Sequence, residues 1–211
     1  MSAASASVLD RLRASRVVPV ATIEDPSAAP AVVQALLAGG IACIEVTFRH
    51  PTAPEAIRAA RKVDGVLVGA GTVLSVEQAE LAFEAGADFA VAPGTNEAVV
   101  GRCRSLGLPF FPGVATPTEI ERARSLGLSV VKVFPAAQVG GPGFLRAVSA
   151  VYPEMGLMPT GGVTVGNLGE YLAVPAVVAC GGSWLVRPEL VDEGRFDEIE
   201  RLARAAREVA A

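Results

Sequence analysis

Eight short aliphatic runs alternate with segments of helical spacing along this 211-residue chain, and four glycines (Gly65, Gly86, Gly107 and Gly127) recur about twenty residues apart. The runs are almost continuously apolar, as parallel strands covered on both faces must be. Together these observations predict an α/β protein, a parallel (β/α)8 TIM barrel with an extra N-terminal helix.

The expected strands are VVPVA (17–21), IACIEVTF (41–48), VLVGAG (66–71), DFAVAP (88–93), PFFPG (109–113), SVVKVF (129–134), GLMPTGG (156–162) and AVVACGG (176–182). Between them, segments 52–63, 75–86, 95–107 and 116–127 carry apolar residues at helical spacing. Several open on a Ser or Thr able to cap the helix, and Glu119, three residues beyond Thr116, completes a capping box. Each recurring glycine closes a helical segment ahead of an apolar run. The sequences RSLGLPFFPG (104–113) and RSLGLSVVKVFP (124–135) even repeat RSLGL one unit apart. The segment before Val17 forms the extra helix, and 195–210 forms the last one. No linker divides the chain, so one domain over 1–211 is expected. An open doubly wound sheet is the rival, but no Gly-x-Gly-x-x-Gly fingerprint follows the first run.

Composition narrows the function classes. With 51% hydrophobic, 19% charged and 5% aromatic residues, the core is built from small aliphatics. The net charge of −4 and the lack of any run of five or more like charges argue against nucleic acid as a partner. His50 is the only histidine, which rules out a multi-histidine metal site within one chain. Cys43, Cys103 and Cys180 are odd in number and widely spaced, fitting a reducing cytoplasm rather than a disulfide framework. No apolar stretch reaches the roughly 18 residues of a membrane span, and the first fifteen residues lack a secretory h-region. A soluble cytoplasmic protein without a membrane partner is expected.

In a parallel barrel, reactive groups sit at the C-terminal ends of strands, and alternate residues face the lumen. On the second strand, Ile44, Val46 and Phe48 share one face, leaving Cys43, Glu45, Thr47 and Arg49 on the other. On the sixth, Val131 and Val133 share a face and put Lys132 on the opposite one with Val130 and Phe134. Glu45, Arg49 and Lys132 therefore meet near the top of an apolar lumen. Among 18 basic residues only Lys62 and Lys132 are lysines. Lys62 ends a helix and is expected in solvent. Lys132, flanked by valines, reads either as a structural ion pair or as the desolvated amine that attacks a carbonyl to form a Schiff base.

Glu45 reads as that lysine's ion-pair partner or as a proton shuttle. Arg49 reads as a surface pair or as a fork for an anionic, especially carboxylate, substrate. Thr72, in GAGT, reads as a helix-entry residue or a hydroxyl ligand. Gly161-Gly162 and Gly181-Gly182-Ser183 follow the seventh and eighth strands, where barrels hold phosphate with backbone N–H groups. Tight turns are the alternative for either pair. His50 reads as a loop residue and Trp184 as packing.

The motifs GGIACIEVTFR (39–49), GAGTV (69–73), APGTN (92–96), PGVATPTEI (112–120), KVFPA (132–136), PTGGV (159–163) and CGGSWL (180–185), taken in order, resemble the 2-keto-3-deoxy-6-phosphogluconate (KDPG) and 4-hydroxy-2-oxoglutarate (KHG) aldolase family. The resemblance covers nearly the whole chain and implies a class I aldolase on a trimeric (β/α)8 barrel. Such an enzyme cleaves 2-dehydro-3-deoxy-6-phosphogluconate to pyruvate and glyceraldehyde 3-phosphate, with no metal or cofactor. It further implies Lys132 as the Schiff-base lysine, Glu45 as the proton shuttle, and Arg49 and Thr72 on the pyruvate carboxylate. Gly161, Gly162 and Ser183 would hold the phosphate, and Pro93 and Phe134 would line the pocket. After KVFPA the chain runs Ala137-Gln138, where many relatives carry an acidic residue, and VGGPGF (139–144) also departs from the pattern. The choice among KDPG, KHG and the galactonate-derived epimer therefore stays open. A metal-dependent pyruvate aldolase fits less well, because the lumen offers one carboxylate and no close histidine. A non-catalytic binder of a phosphorylated ligand would keep the glycine loops but has no need of Glu45 beside Lys132.

Overall fold

The computed structural model describes residues 3–211. A helix (Ala3–Ser15) precedes strand β1 (Val17–Ala21), and β2 (Cys43–Thr47), β3 (Leu67–Gly71) and β4 (Phe89–Val91) follow, each after a helical segment. The chain continues through β5 (Phe110–Phe111), β6 (Gly113–Val114), β7 (Val130–Val133), β8 (Gly156–Pro159) and β9 (Cys180–Gly182), and ends in a helix, Phe196–Ala210. All strand pairings are parallel. One sheet has six strands in the order β5-β4-β3-β2-β1-β9, and the other has three in the order β6-β7-β8.

Proline explains where the strands depart from expectation. The expected fifth strand, 109–113, is cut into β5 and β6 at Pro112, which has no N–H for a ladder. Its carbonyl instead accepts the Lys132 N–H at 2.9 Å, so the chain leaves β4 and joins β7 at this residue. The expected seventh strand stops at Pro159, because Gly161 and Gly162 adopt positive φ (95° and 80°). Before β9, the expected eighth strand keeps a single bridge, Val177 to Leu157, and a second bridge joins Thr160 to Gly181.

Local chemistry starts and stops the helices. Ser75 caps 76–84, and Thr116 forms the capping box with Glu119 ahead of 117–125. The helix over 97–106 is capped by Asn96 rather than Thr95, whose hydroxyl donates to the Gly113 carbonyl. Thr52 stands at a helix start without capping it, because its hydroxyl donates to the Ile23 carbonyl at 3.0 Å. The recurring glycines all take positive φ, between 70° and 85°, which permits the abrupt reversal into the next strand.

Every residue of β1, β2, β3, β4 and β7 is buried. Helices cover the outer faces, and at about 1.5 to 3 kcal/mol per fully buried aliphatic side chain this layer dominates stability. The last helix closes against the second one (Ala29–Ala38) at Gly39, where a Cβ would overlap that of Ala203.

Candidate active site

The sheet core contains few polar side chains, and two of them face each other. Glu45 of β2 is 3% exposed and Lys132 of β7 is 6% exposed, yet their Oε1 and Nζ lie 3.3 Å apart across 87 residues of sequence. Strand alternation is what aims both inward. Two uncompensated charges would be costly here, whereas the pair satisfies itself; removing one partner from such a pair typically costs about 3–5 kcal/mol. Backbone economy makes the room. Gly71 of β3 lies one strand over from Glu45, and a Cβ on it would overlap the Glu45 carboxylate. Gly113 of β6 is in register with Lys132, and a Cβ there would strike the Pro93 backbone. Pro93 thus borders the lysine through Gly113. The Phe134 ring, just beyond β7, has its centroid 5.8 Å from Nζ.

The remaining residues also gather at the C-terminal ends of strands. Arg49 lies in the turn after β2, exposed, with no hydrogen bond or ion pair among the described residues. The Phe48 N–H donates to the Gly71 carbonyl at 2.8 Å, tying that turn to the end of β3 where Thr72 sits. Thr72 is half-buried and has φ 59°, a left-handed conformation that a β-branched residue adopts only under constraint. Gly161 is wedged against Phe134 and Pro135, with a notional Cβ 3.2 Å from Pro135 Cα. Gly162 lies over Ala137, and Ser183 follows β9 exposed at the same rim. The Thr160–Gly181 bridge joins the two glycine loops. Lys132, Glu45, Phe134, Pro93 and Gly161 therefore connect through direct packing or adjacent register, while Arg49, Thr72, Gly162 and Ser183 follow the C-terminal ends of β2, β3, β8 and β9.

Other nucleophiles are unsuited. Burial pushes the Cys43 and Cys103 thiols up to about 11 and Cys180 to about 12, so all three stay protonated at neutral pH. Lys62 is exposed, as its helix-end position predicts. His50 holds a loop: its Nδ1 lies 2.7 Å from the Thr52 hydroxyl. The same Nδ1 accepts the Thr52 backbone N–H at 3.4 Å, and the Thr52 hydroxyl donates to the Ile23 carbonyl. No cluster of three His, Cys, Asp or Glu side chains suited to a metal occurs among the described residues, nor does any helix there have the length and apolarity to cross a membrane.

A separate concavity of about 660 Å³ opens at the N-terminal ends of β5 and β7 under Leu9, Leu108, Phe110 and Leu128. Its one charged side chain, Arg104, caps the Leu126 carbonyl, and its only other polar side chain is Ser129, with no amine, acid or thiol among the lining residues. Sequence reading passed over Thr22 and Thr47, whose hydroxyls lie 2.9 Å apart beside Glu45; the signal was the shared parity of Thr47 and Glu45 on β2.

Known proteins are similar to this chain in sequence and in fold. The chain is 47% identical over 198 residues to the 2-dehydro-3-deoxy-phosphogluconate aldolase of Treponema pallidum, covering 93% of this chain and 94% of the relative. The KDPG aldolase of Legionella pneumophila, with pyruvate captured at low pH as a covalent carbinolamine intermediate, superposes with a TM-score of 0.90 at 36% identity, covering 94% of this chain and 97% of that one. The 2-keto-3-deoxy-6-phosphogluconate aldolase of Zymomonas mobilis ZM4, solved with 3-phosphoglycerate, gives 0.89 at 36% identity and 94% of each chain. With residues 8–202 matching the family description as well, the chain belongs to the KDPG and KHG aldolase family.

Proposed function

We propose that this chain is a class I aldolase that cleaves 2-dehydro-3-deoxy-6-phosphogluconate to pyruvate and glyceraldehyde 3-phosphate. The observation that carries the reading is the buried Lys132 Nζ 3.3 Å from Glu45 Oε1, inside a lumen with no other amine. Transfer of the ammonium proton to Glu45 frees the lone pair for attack on the C2 carbonyl. Glu45 returns that proton to the carbinolamine hydroxyl, which leaves as water, and the imine forms. Glu45 then takes the C4 hydroxyl proton. The C3–C4 bond breaks, its electrons move into the enamine, and C4 leaves as the aldehyde carbon. Protonation at C3 and hydrolysis release pyruvate and restore Lys132.

Arg49 and the Thr72 hydroxyl hold the pyruvate carboxylate, the arginine through its planar fork. Gly161, Gly162 and Ser183 take the distal phosphate through backbone N–H groups and a hydroxyl, and Pro93 and Phe134 exclude water from the imine. We read the two sheets as arcs of one (β/α)8 barrel, a single domain over 1–211 with its N-terminal helix beneath. A cytoplasmic homotrimer is the expected form, and no cofactor is required.

The second reading, the same lyase acting on KHG or on the galactonate-derived epimer, draws on Ala137. That residue packs directly beneath Gly162, so the departure from the acidic residue of many relatives touches the phosphate loop itself. Borohydride trapping with pyruvate, followed by mapping of the adduct, tests the mechanism: the label belongs on Lys132, and its absence there ends the proposal. Comparing kcat/KM across the three substrates separates the two readings.

A further inference from the structure

Thr47 is 1% exposed, a hydroxyl buried at the heart of the molecule with one polar partner, the Thr22 hydroxyl at 2.9 Å. Thr47 lies two residues beyond Glu45 on β2, so the two side chains share a face about 6.6 Å apart along the strand. Val20 of β1 is in register with Glu45, which sets Thr22 level with Thr47 and on the same side. Gly71 is in register with Thr47, and the Glu45 carboxylate leans into the space Gly71 leaves. The carboxylate and the hydroxyl pair therefore occupy one level of the lumen, with Thr22 the less buried of the two threonines.

Two hydroxyls carry two protons. One lies between Thr22 and Thr47, and the other has no acceptor among the described residues. An unused donor beside the proton-accepting carboxylate faces the place where the reaction develops negative charge on oxygen. We infer that Thr22, polarised by donation from Thr47, donates a hydrogen bond to the C4 oxygen of the substrate as Glu45 removes that oxygen's proton; this rests on the aldolase reading. Thr22 is then a substrate-binding residue and Thr47 a positioning residue that acts through it. The oxygen stays hydrogen-bonded as it passes from hydroxyl to aldehyde carbonyl, and neither threonine gains or loses a proton. Forming the imine with pyruvate involves no C4 oxygen and does not call on the pair.

The test compares Thr22→Val with the wild-type chain. The expected result is a roughly tenfold lower kcat/KM for KDPG, falling mainly on kcat, with an unchanged rate of borohydride trapping by pyruvate; the orphaned Thr47 hydroxyl should also lower Tm by a few degrees, which Thr22→Val/Thr47→Val should partly restore. Thr22→Ser should recover activity to within about threefold, and Thr22→Val/Thr47→Val should be no slower than Thr22→Val alone. A Thr22→Val enzyme within twofold of wild type overturns the inference. So does an equal loss of pyruvate trapping, which would move the pair to the carboxylate end of the substrate. Failure of the wild-type chain to trap pyruvate at all overturns the aldolase reading and this inference with it.

Discussion

At their N-terminal ends, β5 and β7 border about 660 Å³ of largely apolar space, while the C-terminal ends of the strands carry the buried ion pair, the paired hydroxyls and the glycine loops. The hollow offers no amine, acid or thiol. The C-terminal end has an amine and a carboxylate buried side by side. Surface pairs such as Arg61–Asp88, at 2.9 Å, are closer than Lys132–Glu45 at 3.3 Å, yet screening leaves them worth little. What separates the two ends is the kind of group that burial has isolated, and each end should respond differently to substitution.

Removing the amine should have the largest effect. Lys132→Met is expected to bring aldol cleavage to the assay floor and to abolish borohydride labelling by pyruvate, both measured on the folded protein. Glu45→Gln keeps the shape but cannot accept a proton, and should lower kcat by about 10²- to 10⁴-fold while the imine still forms slowly. The opposite end reverses the pattern. Phe111, 4% exposed and with its ring tilted against Phe89 at 6.0 Å between centroids, borders the apolar hollow. Phe111→Ala should cost about 3–5 kcal/mol of stability and lower Tm by roughly 10 °C, with kcat of the folded fraction unchanged. Loss of kcat in that variant would break the contrast between the ends.

Two smaller effects sharpen it. Gly162→Ala forces a Cβ at φ 80° into Ala137. The expected result is about 1–2 kcal/mol of destabilisation and a higher KM for the phosphorylated substrate, with KHG turnover spared. The buried thiols set the alkaline limit. Cys43 and Cys103 are raised from 9.0 to about 11 and Cys180 to about 12, chiefly by desolvation. The unfolded chain releases these protons near pH 9 while the folded chain retains them, so stability should fall as pH rises from about 9 to 11. Thermal melts across that window, compared with a Cys180→Ala chain, should show a shallower decline in the variant.

Much of this was legible from residue order. Parity on two strands brought Glu45 and Lys132 to facing positions, because alternation is a rigid property of extended backbone and both residues sit between aliphatic neighbours. The capping box at Thr116 was readable for the same local reason. Other features depend on partners far along the chain. The Thr52 hydroxyl serves Ile23 rather than its own helix, and Thr95 serves Gly113, leaving the cap to Asn96. The left-handed backbone of Thr72 carries no sequence signature, since the surrounding sheet imposes it against the residue's own preference. Pro112 was in plain view, but where its carbonyl would go required knowing that β7 lay alongside.

Gly71 has a bearing on how the sequence can change over time. The glutamate at 45 reaches its place only because position 71 carries no side chain, so the two positions constrain each other. Any replacement at 71 must be met by a shorter acid at 45 or by a bend in β3, and neither keeps the carboxylate beside Lys132. The two sites should vary together or not at all among chains that keep this lysine, so that a residue with no functional group of its own is as restricted as the buried carboxylate it makes room for.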